Sequence, residues 1–340
     1  MKRHRNLLSG VTAALAAAAV AVPAGSAGAA SATPATACTA ATNIEAIIDD
    51  SGSMSLTDPG TLRVKAMKLL IDSLSSGTTL GALEFGGNFF EGEGQPPASD
   101  VLFNPEAVGP NASAMFAAME SKIHADNGGT DYNSAFALSD ASNPTAQARI
   151  FMTDGGHDVG TYNNGHLVHR VPTYVVGFSG GVASSEDQAR LRTIAGDTGG
   201  VFYPLSDSSQ LQSVVNSIGA LLTCQTPPQT FTDKLKAGAS KVHTLTVGGS
   251  TKSLQIALTW ASPLDKFTIS GLKVTGHGRT LARAARHIKK LTVKTTASET
   301  FAILQVTGLV KGKLSFKVKA TSIGSGSPQV TLTTQVGKGH

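Results

Sequence analysis

Residues 43–55 constrain this chain more than any other stretch. A run of mostly apolar residues from Ile44 to Ile48 breaks off into Asp49, Asp50, Ser51, Ser53 and Ser55. An apolar run of this length, ended so sharply, reads as a strand buried on both faces that feeds a polar turn. Residues 61–75 follow with apolar side chains at helical spacing. In open α/β sheets ligands bind where parallel strands give way to helices. Asp49, Ser51 and Ser53 place three hard oxygen donors at alternate positions on that edge, so the turn predicts a divalent-cation site.

Strand and helix signals alternate through the rest of the first half. Strands are expected at 79–85, 149–153, 173–178 and 201–203, with a short antiparallel edge strand around 101–103. Helices are expected at 113–123, 132–139, 185–195 and 208–222. The predicted class is α/β: a Rossmann-like domain over 38–225, with a mostly parallel central sheet and helices on both faces. From residue 226 the pattern changes to seven short alternating runs separated by Gly/Ser turns, which predicts a smaller all-β sandwich over 226–340.

Charge marks the same division. Residues 38–225 carry 8 Lys and Arg against 20 Asp and Glu, whereas residues 226–340 carry 17 against 3. The boundary is expected near Pro227 and Pro228, and the two halves can attract each other or the basic one can face an anionic surface. The start of the chain, with Lys2, Arg3 and Arg5 before an Ala-rich apolar stretch, has the layout of a secretory signal peptide over 1–30, followed by a disordered linker over 31–37. Cleavage is expected between Ala29 and Ala37, which places the mature protein outside the cell or at the cell envelope. In that setting Cys38 and Cys224, the only cysteines, are expected to form a disulfide. Two buried free thiols, or a lipidated Cys38, are the alternatives.

Two further turns, Gly128-Gly129-Thr130-Asp131 and Thr153-Asp154-Gly155, are expected on the same edge as Asp49-x-Ser51-x-Ser53. At these residues the chain resembles the von Willebrand factor type A domain with its metal-ion-dependent adhesion site. That pattern is an Asp-x-Ser-x-Ser turn, then a Thr, then an Asp-Gly, and Asp49, Ser51, Ser53, Thr130 and Asp154 match it in order. The resemblance implies that Ser51 and Ser53 bind the metal through their hydroxyls. It further implies that Thr130 binds directly or through water, and that Asp49 and Asp154 act largely through water. Mg2+ is the implied ion, with Mn2+ or Ca2+ as alternatives, and a partner's acidic side chain is the implied ligand for its remaining position.

A second cluster, His157, Asp158, His166 and His169, lies in a Gly/Asn-rich loop without helical His spacing, and solvated loop histidines are expected there in preference to a zinc site. Phe89 and Phe90 sit in a Gly/Pro-rich insertion. Arg279, Arg283, Arg286, Lys289 and Lys290 form the densest basic patch; it can engage an anionic cell-wall or glycan surface, or serve as a solvated face. Nucleic acid and a membrane span are not expected.

The function these features predict is non-enzymatic: a secreted module that binds a protein ligand or cell-surface component through a divalent cation. The chain has no His-Glu-x-x-His, the motif that marks a common class of metal-dependent hydrolases. A secreted metal-dependent hydrolase, or a structural envelope protein docking through its basic half, are the alternatives.

Overall fold

The computed structural model describes residues 39–340 apart from 88–97, 126–127, 164–168, 179–183, 207–209, 249–250, 276–278, 281–291, 298, 308–311, 327–328 and 339–340. The signal segment, Cys38 and hence its pairing with Cys224, Phe89, Phe90, His166, Arg283, Arg286, Lys289 and Lys290 lie outside the described residues.

Six strands build the first sheet: β1 (Asn43–Asp49), β2 (Thr79–Phe85), β3 (Ser99–Ala107), β4 (Ala148–Thr153), β5 (Thr173–Phe178) and β6 (Phe202–Leu205). Their order is β3-β2-β1-β4-β5-β6. All pairs are parallel except β2 with β3, so the edge strand expected to be antiparallel is so. Because β1 has β2 on one side and β4 on the other, chain order reverses there, and the ends of β1 and β4 flank the switch point where open sheets form ligand crevices.

The two-residue period of β1 decides what each face packs against. Ile44, Ala46 and Ile48 join one apolar layer with α2 (Leu62–Ser73), α3 (Val108–Lys122) and α6 (Leu211–Leu222). Ile47 joins the opposite layer with Tyr132 and Phe136 of α4 (Tyr132–Ser142) and Leu191 and Ile194 of α5 (Ser185–Thr198). A short helix, α1 (Met54–Thr57), follows the Asp49 turn directly.

Glu45 sits among these layers, 1% exposed, where its Oε2 accepts from Asn143 Nδ2 at 2.8 Å. Burial outweighs that bond and the charge of Arg149, and pushes the carboxyl from its ordinary 4.5 up to about 7. The unfolded chain therefore releases this proton first, and stability falls between about pH 4.5 and about pH 7 by up to roughly 3 kcal/mol. Glu45→Gln, which keeps an acceptor for Asn143, is expected to gain on the native protein across that window. Urea unfolding at about pH 5 and about pH 8 checks it; a difference that does not change with pH would refute the assignment.

The second half contains β7 (Thr226–Lys234), β8 (Ser240–Val247), β9 (Thr251–Thr259), β10 (Lys266–Thr275), β11 (Arg279–Thr280), β12 (Thr292–Ala297), β13 (Phe301–Thr307), β14 (Gly312–Ser322) and β15 (Gln329–Lys338). They form sheets ordered β11-β10-β14-β8 and β12-β13-β9-β15-β7, which share one core containing Ile256, Leu258, Leu304, Phe316, Val318 and Leu332. This is the expected sandwich with two strands more than the runs suggested. Pro227 and Pro228 open β7, the first strand of the second half and an edge strand, where a missing N–H breaks no ladder.

Cys38–His340 is one compact unit, and the contact between its two halves is made by neutral groups. The face of β9 and β13 turned away from the sandwich core carries Ala257, Phe301 and Ile303, which pack on Leu69 of α2. Around them Gln255 Nε2 donates to Ser73 Oγ and Asn216 Oδ1, both at 3.1 Å. Gln335 Nε2 donates to the Asn216 carbonyl at 2.6 Å, and Gln212 Nε2 to Thr300 Oγ1 at 2.7 Å. The opposite net charges of the halves are not what joins them at this seam. Among the described residues no helix is long and apolar enough to cross a membrane.

Candidate metal centre

Three loops meet beyond the ends of β1 and β4. Gly52 N–H donates to the Gly128 carbonyl at 2.9 Å and Gly129 N–H to the Gly87 carbonyl at 2.7 Å. Gly128 has φ +62°, and a Cβ there would lie 2.3 Å from the Gly87 carbonyl oxygen, so this loop crossing needs a glycine.

The crossing brings together the five residues named from the sequence. Asp49 and Asp154 have no exposed surface and Ser51 and Thr130 almost none, while Ser53 is exposed at the rim. Ser53 Oγ donates to Asp154 Oδ1 at 2.8 Å and lies 3.1 Å from Ser51 Oγ. Ser51 N–H donates to Asp49 Oδ1 at 2.8 Å. Thr130 Oγ1 joins the group from the third loop: a Cβ placed on Gly155 would be 3.2 Å from it and 3.8 Å from Ser53 Oγ.

Thr130 is not the N-cap its position suggests. Asp131 caps α4, accepting from Asn133 N–H at 2.9 Å and Ser134 N–H at 3.2 Å. With the cap supplied one residue later, the Thr130 side chain is turned to the cluster.

Two hydroxyls went unread in the sequence. Thr153 Oγ1 donates to Asp49 Oδ2 at 2.6 Å, and Thr57 Oγ1 donates to Asp154 Oδ2. Thr57 follows Ser53 by one helical turn of α1, and Thr153 immediately precedes Asp154. That adjacency was the available signal.

The electrostatics of the group distinguish it from an ordinary polar turn. Asp50, Asp58 and Asp140 each face an arginine. Among the described residues Asp49 and Asp154 are instead held by hydroxyls and a backbone amide. Burial first, and the Asp154 carboxylate second, push Asp49 up to about 7. Two buried acids that repel each other, ringed by neutral oxygens, are a donor set that a hard divalent cation complements. Among the described residues no three His, Cys, Asp or Glu side chains gather at any one place; the donors here are two carboxylates and hydroxyls, the oxygen chemistry of a hard cation.

Thr153→Val keeps the shape of a buried side chain and removes the donor to Asp49. Because the partner that orients a ligand governs affinity, Mg2+ binding is expected to weaken about 10- to 100-fold with the fold intact, as calorimetric titration would read. An unchanged affinity would show that Thr153 only packs.

Of the loop histidines within the described residues, His157 is not solvated. Its side chain is 1% exposed, and Nδ1 accepts from Tyr132 N–H at the start of α4 at 3.1 Å. Its ring lies between Tyr132 and Tyr162, and burial holds it below the ordinary histidine range. His169 is exposed, 3.9 Å from Asp140.

Topology and site together define the fold class: a von Willebrand factor type A-like α/β domain with an all-oxygen cluster at the switch point of its sheet, followed by a β-sandwich. No protein-family model matches the chain, and no curated protein does. Among solved structures it is similar to a von Willebrand factor type A protein from Catenulispora acidiphila, at 17% identity and TM-score 0.45 over 88% of this chain and 65% of that one. It is also similar to proximal thread matrix protein 1 from the mussel byssus with a zinc-occupied MIDAS motif, at 17% identity and TM-score 0.42 over 59% and 51%. A third is the pilus adhesin SpaC from Lactobacillus rhamnosus GG in its open conformation, at 10% identity and TM-score 0.42 over 88% and 44%. The chain spans 65% or less of the length of each. Likeness this remote transfers no residue role, and the site stands on its own geometry.

Proposed function

We propose that this chain is an exported binding module whose first half captures an acidic group of a protein or cell-surface partner through a divalent cation held by Asp49, Ser51, Ser53, Thr130 and Asp154. One observation carries the reading: two fully buried carboxylates without an arginine or lysine among the described residues, ringed by hydroxyls that open to solvent at Ser53. The cation, Mg2+ or in its place Mn2+ or Ca2+, would balance both acids and offer a partner's carboxylate an electrophile. Asp49 and Asp154 hold the hydroxyls in place; Thr153 and Thr57 orient the acids. A binding role is preferred to catalysis because Ser53, Thr57 and Thr153 already donate to these carboxylates and His157 Nδ1 is engaged at a helix start. Export agrees with a disulfide between Cys38 and Cys224, which we include in the proposal.

Immobilised peptides carrying one Asp or Glu in a neutral context, each paired with its Asn or Gln counterpart, test it. Retention of the acidic members in Mg2+, lost with chelator, is expected. Retention that survives chelation would contradict the proposal.

A further inference from the structure

A cavity of about 660 Å3 lies on the other side of the molecule's seam, between β6 with the start of α6 and the strands β7, β9 and β15. Its size is that of a small-ligand site, and it lies at a junction between two folded parts, where such sites concentrate. Its composition sets it apart. The first half is strongly acidic and the second strongly basic, yet among the described residues no charged residue lines this cavity; the smaller cavity along the seam includes Asp72.

The lining mixes three rings, of which Trp260 is buried, with hydroxyls and amides. Phe202, Tyr203 and Trp260 contribute rings. Trp260 is fixed, with Nε1 donating to the Glu299 carbonyl at 2.8 Å and its ring 5.3 Å from Phe267. Gln210, Thr232 and Gln329 are exposed side chains at the opening. Each hydroxyl or amide both donates and accepts, which suits a ligand whose own groups do the same. Rings suit the flat C–H face of a sugar. A charged ligand would surrender hydration here and, among the described lining residues, meet no counter-charge.

We infer that this cavity binds an uncharged, polyhydroxylated ligand, a stretch of neutral glycan two or three sugars long. The site is separate from the cation cluster: it borders β6 at the sheet's edge, whereas the cluster lies beyond the ends of β1 and β4. Glycan binding here is independent of Mg2+ and of the proposed acidic partner.

Trp260 is the only tryptophan in the chain, so its emission reports on this cavity alone. The whole protein is titrated with maltotriose, cellotriose, mannotriose and triacetylchitotriose, with saturation-transfer NMR on the same samples in case emission is silent. A saturable response to at least one, with Kd near ~1 mM, is expected. Gln329→Ala and Tyr203→Ala should each weaken it about tenfold or more, and chelator should leave it unchanged. Gln329 is exposed, so its variant tests the site even if Tyr203→Ala does not fold. No response by either method up to about 10 mM would overturn the assignment, as would full affinity in Gln329→Ala. Loss of binding on chelation, or preference for a sulfated sugar or an uncharged peptide, would also overturn it.

Discussion

Replacing Arg63 by alanine is expected to cost about 3–5 kcal/mol of stability, a drop of roughly 6–20 °C in Tm for a chain of this size. Arg63 has no exposed surface. Its Nη2 lies 2.9 Å from Asp50 Oδ1 and its Nη1 3.1 Å from Asp58 Oδ2. Both acids also brace the chain. Asp58 accepts from Leu62 N–H at 2.7 Å and Arg63 N–H at 3.0 Å, closing the first turn of α2. Asp50 accepts from Ala125 N–H at 2.7 Å, fixing the loop after α3. Burial raises both carboxyls even with the guanidinium beside them, so its removal strands two charges with no route to water. The cost belongs to the stranded charges and not to the lost contacts, which a further variant separates. Arg63→Met combined with Asp50→Asn and Asp58→Asn should recover most of the loss. Denaturant unfolding of both proteins decides it; a triple variant no more stable than Arg63→Ala would mean that packing carried the cost.

Asp154→Asn is expected to lower Mg2+ affinity by about 100-fold or more and to abolish cation-dependent capture of acidic peptides. Its effect on stability should have the opposite sign. The Asp154 charge is one of the two influences that push Asp49 upward. Asparagine removes it while keeping an oxygen for Ser53 and a near-identical shape. In chelator the variant should therefore melt at or above the native protein, and in Mg2+ below it. Such a trade of stability for function is the mark of a site built around an ion. Calorimetric titration together with thermal melts in both buffers gives the answer; a variant less stable in chelator and unchanged in Mg2+ affinity would make Asp154 a structural residue.

Much of this molecule was legible before its coordinates. The run from Ile44 to Ile48 ending in Asp49 states a buried strand and the place where it stops, and alternation in residues 254–260 states another. The convergence of Asp49, Ser51, Ser53, Thr130 and Asp154 was legible for the same reason: each follows a strand end or precedes a helix, and in a parallel sheet those positions share an edge. What escaped depends on partners far away in sequence. Arg63 looks like a solvent-facing residue of an amphipathic helix, and only the fold sets Asp50 and Asp58 beside it. Gln255, Gln335 and Asn216 look like surface amides, yet they are buried because the sheet is covered on both faces.

Diffraction from a crystal grown in Mn2+, with data collected at the manganese absorption edge, addresses the central claim most directly. The account predicts an anomalous peak among the hydroxyls of Ser51, Ser53 and Thr130 and the carboxylates of Asp49 and Asp154, with one coordination position facing solvent or holding a neighbour's carboxylate. A cluster that stays without a peak while manganese binds elsewhere would contradict it.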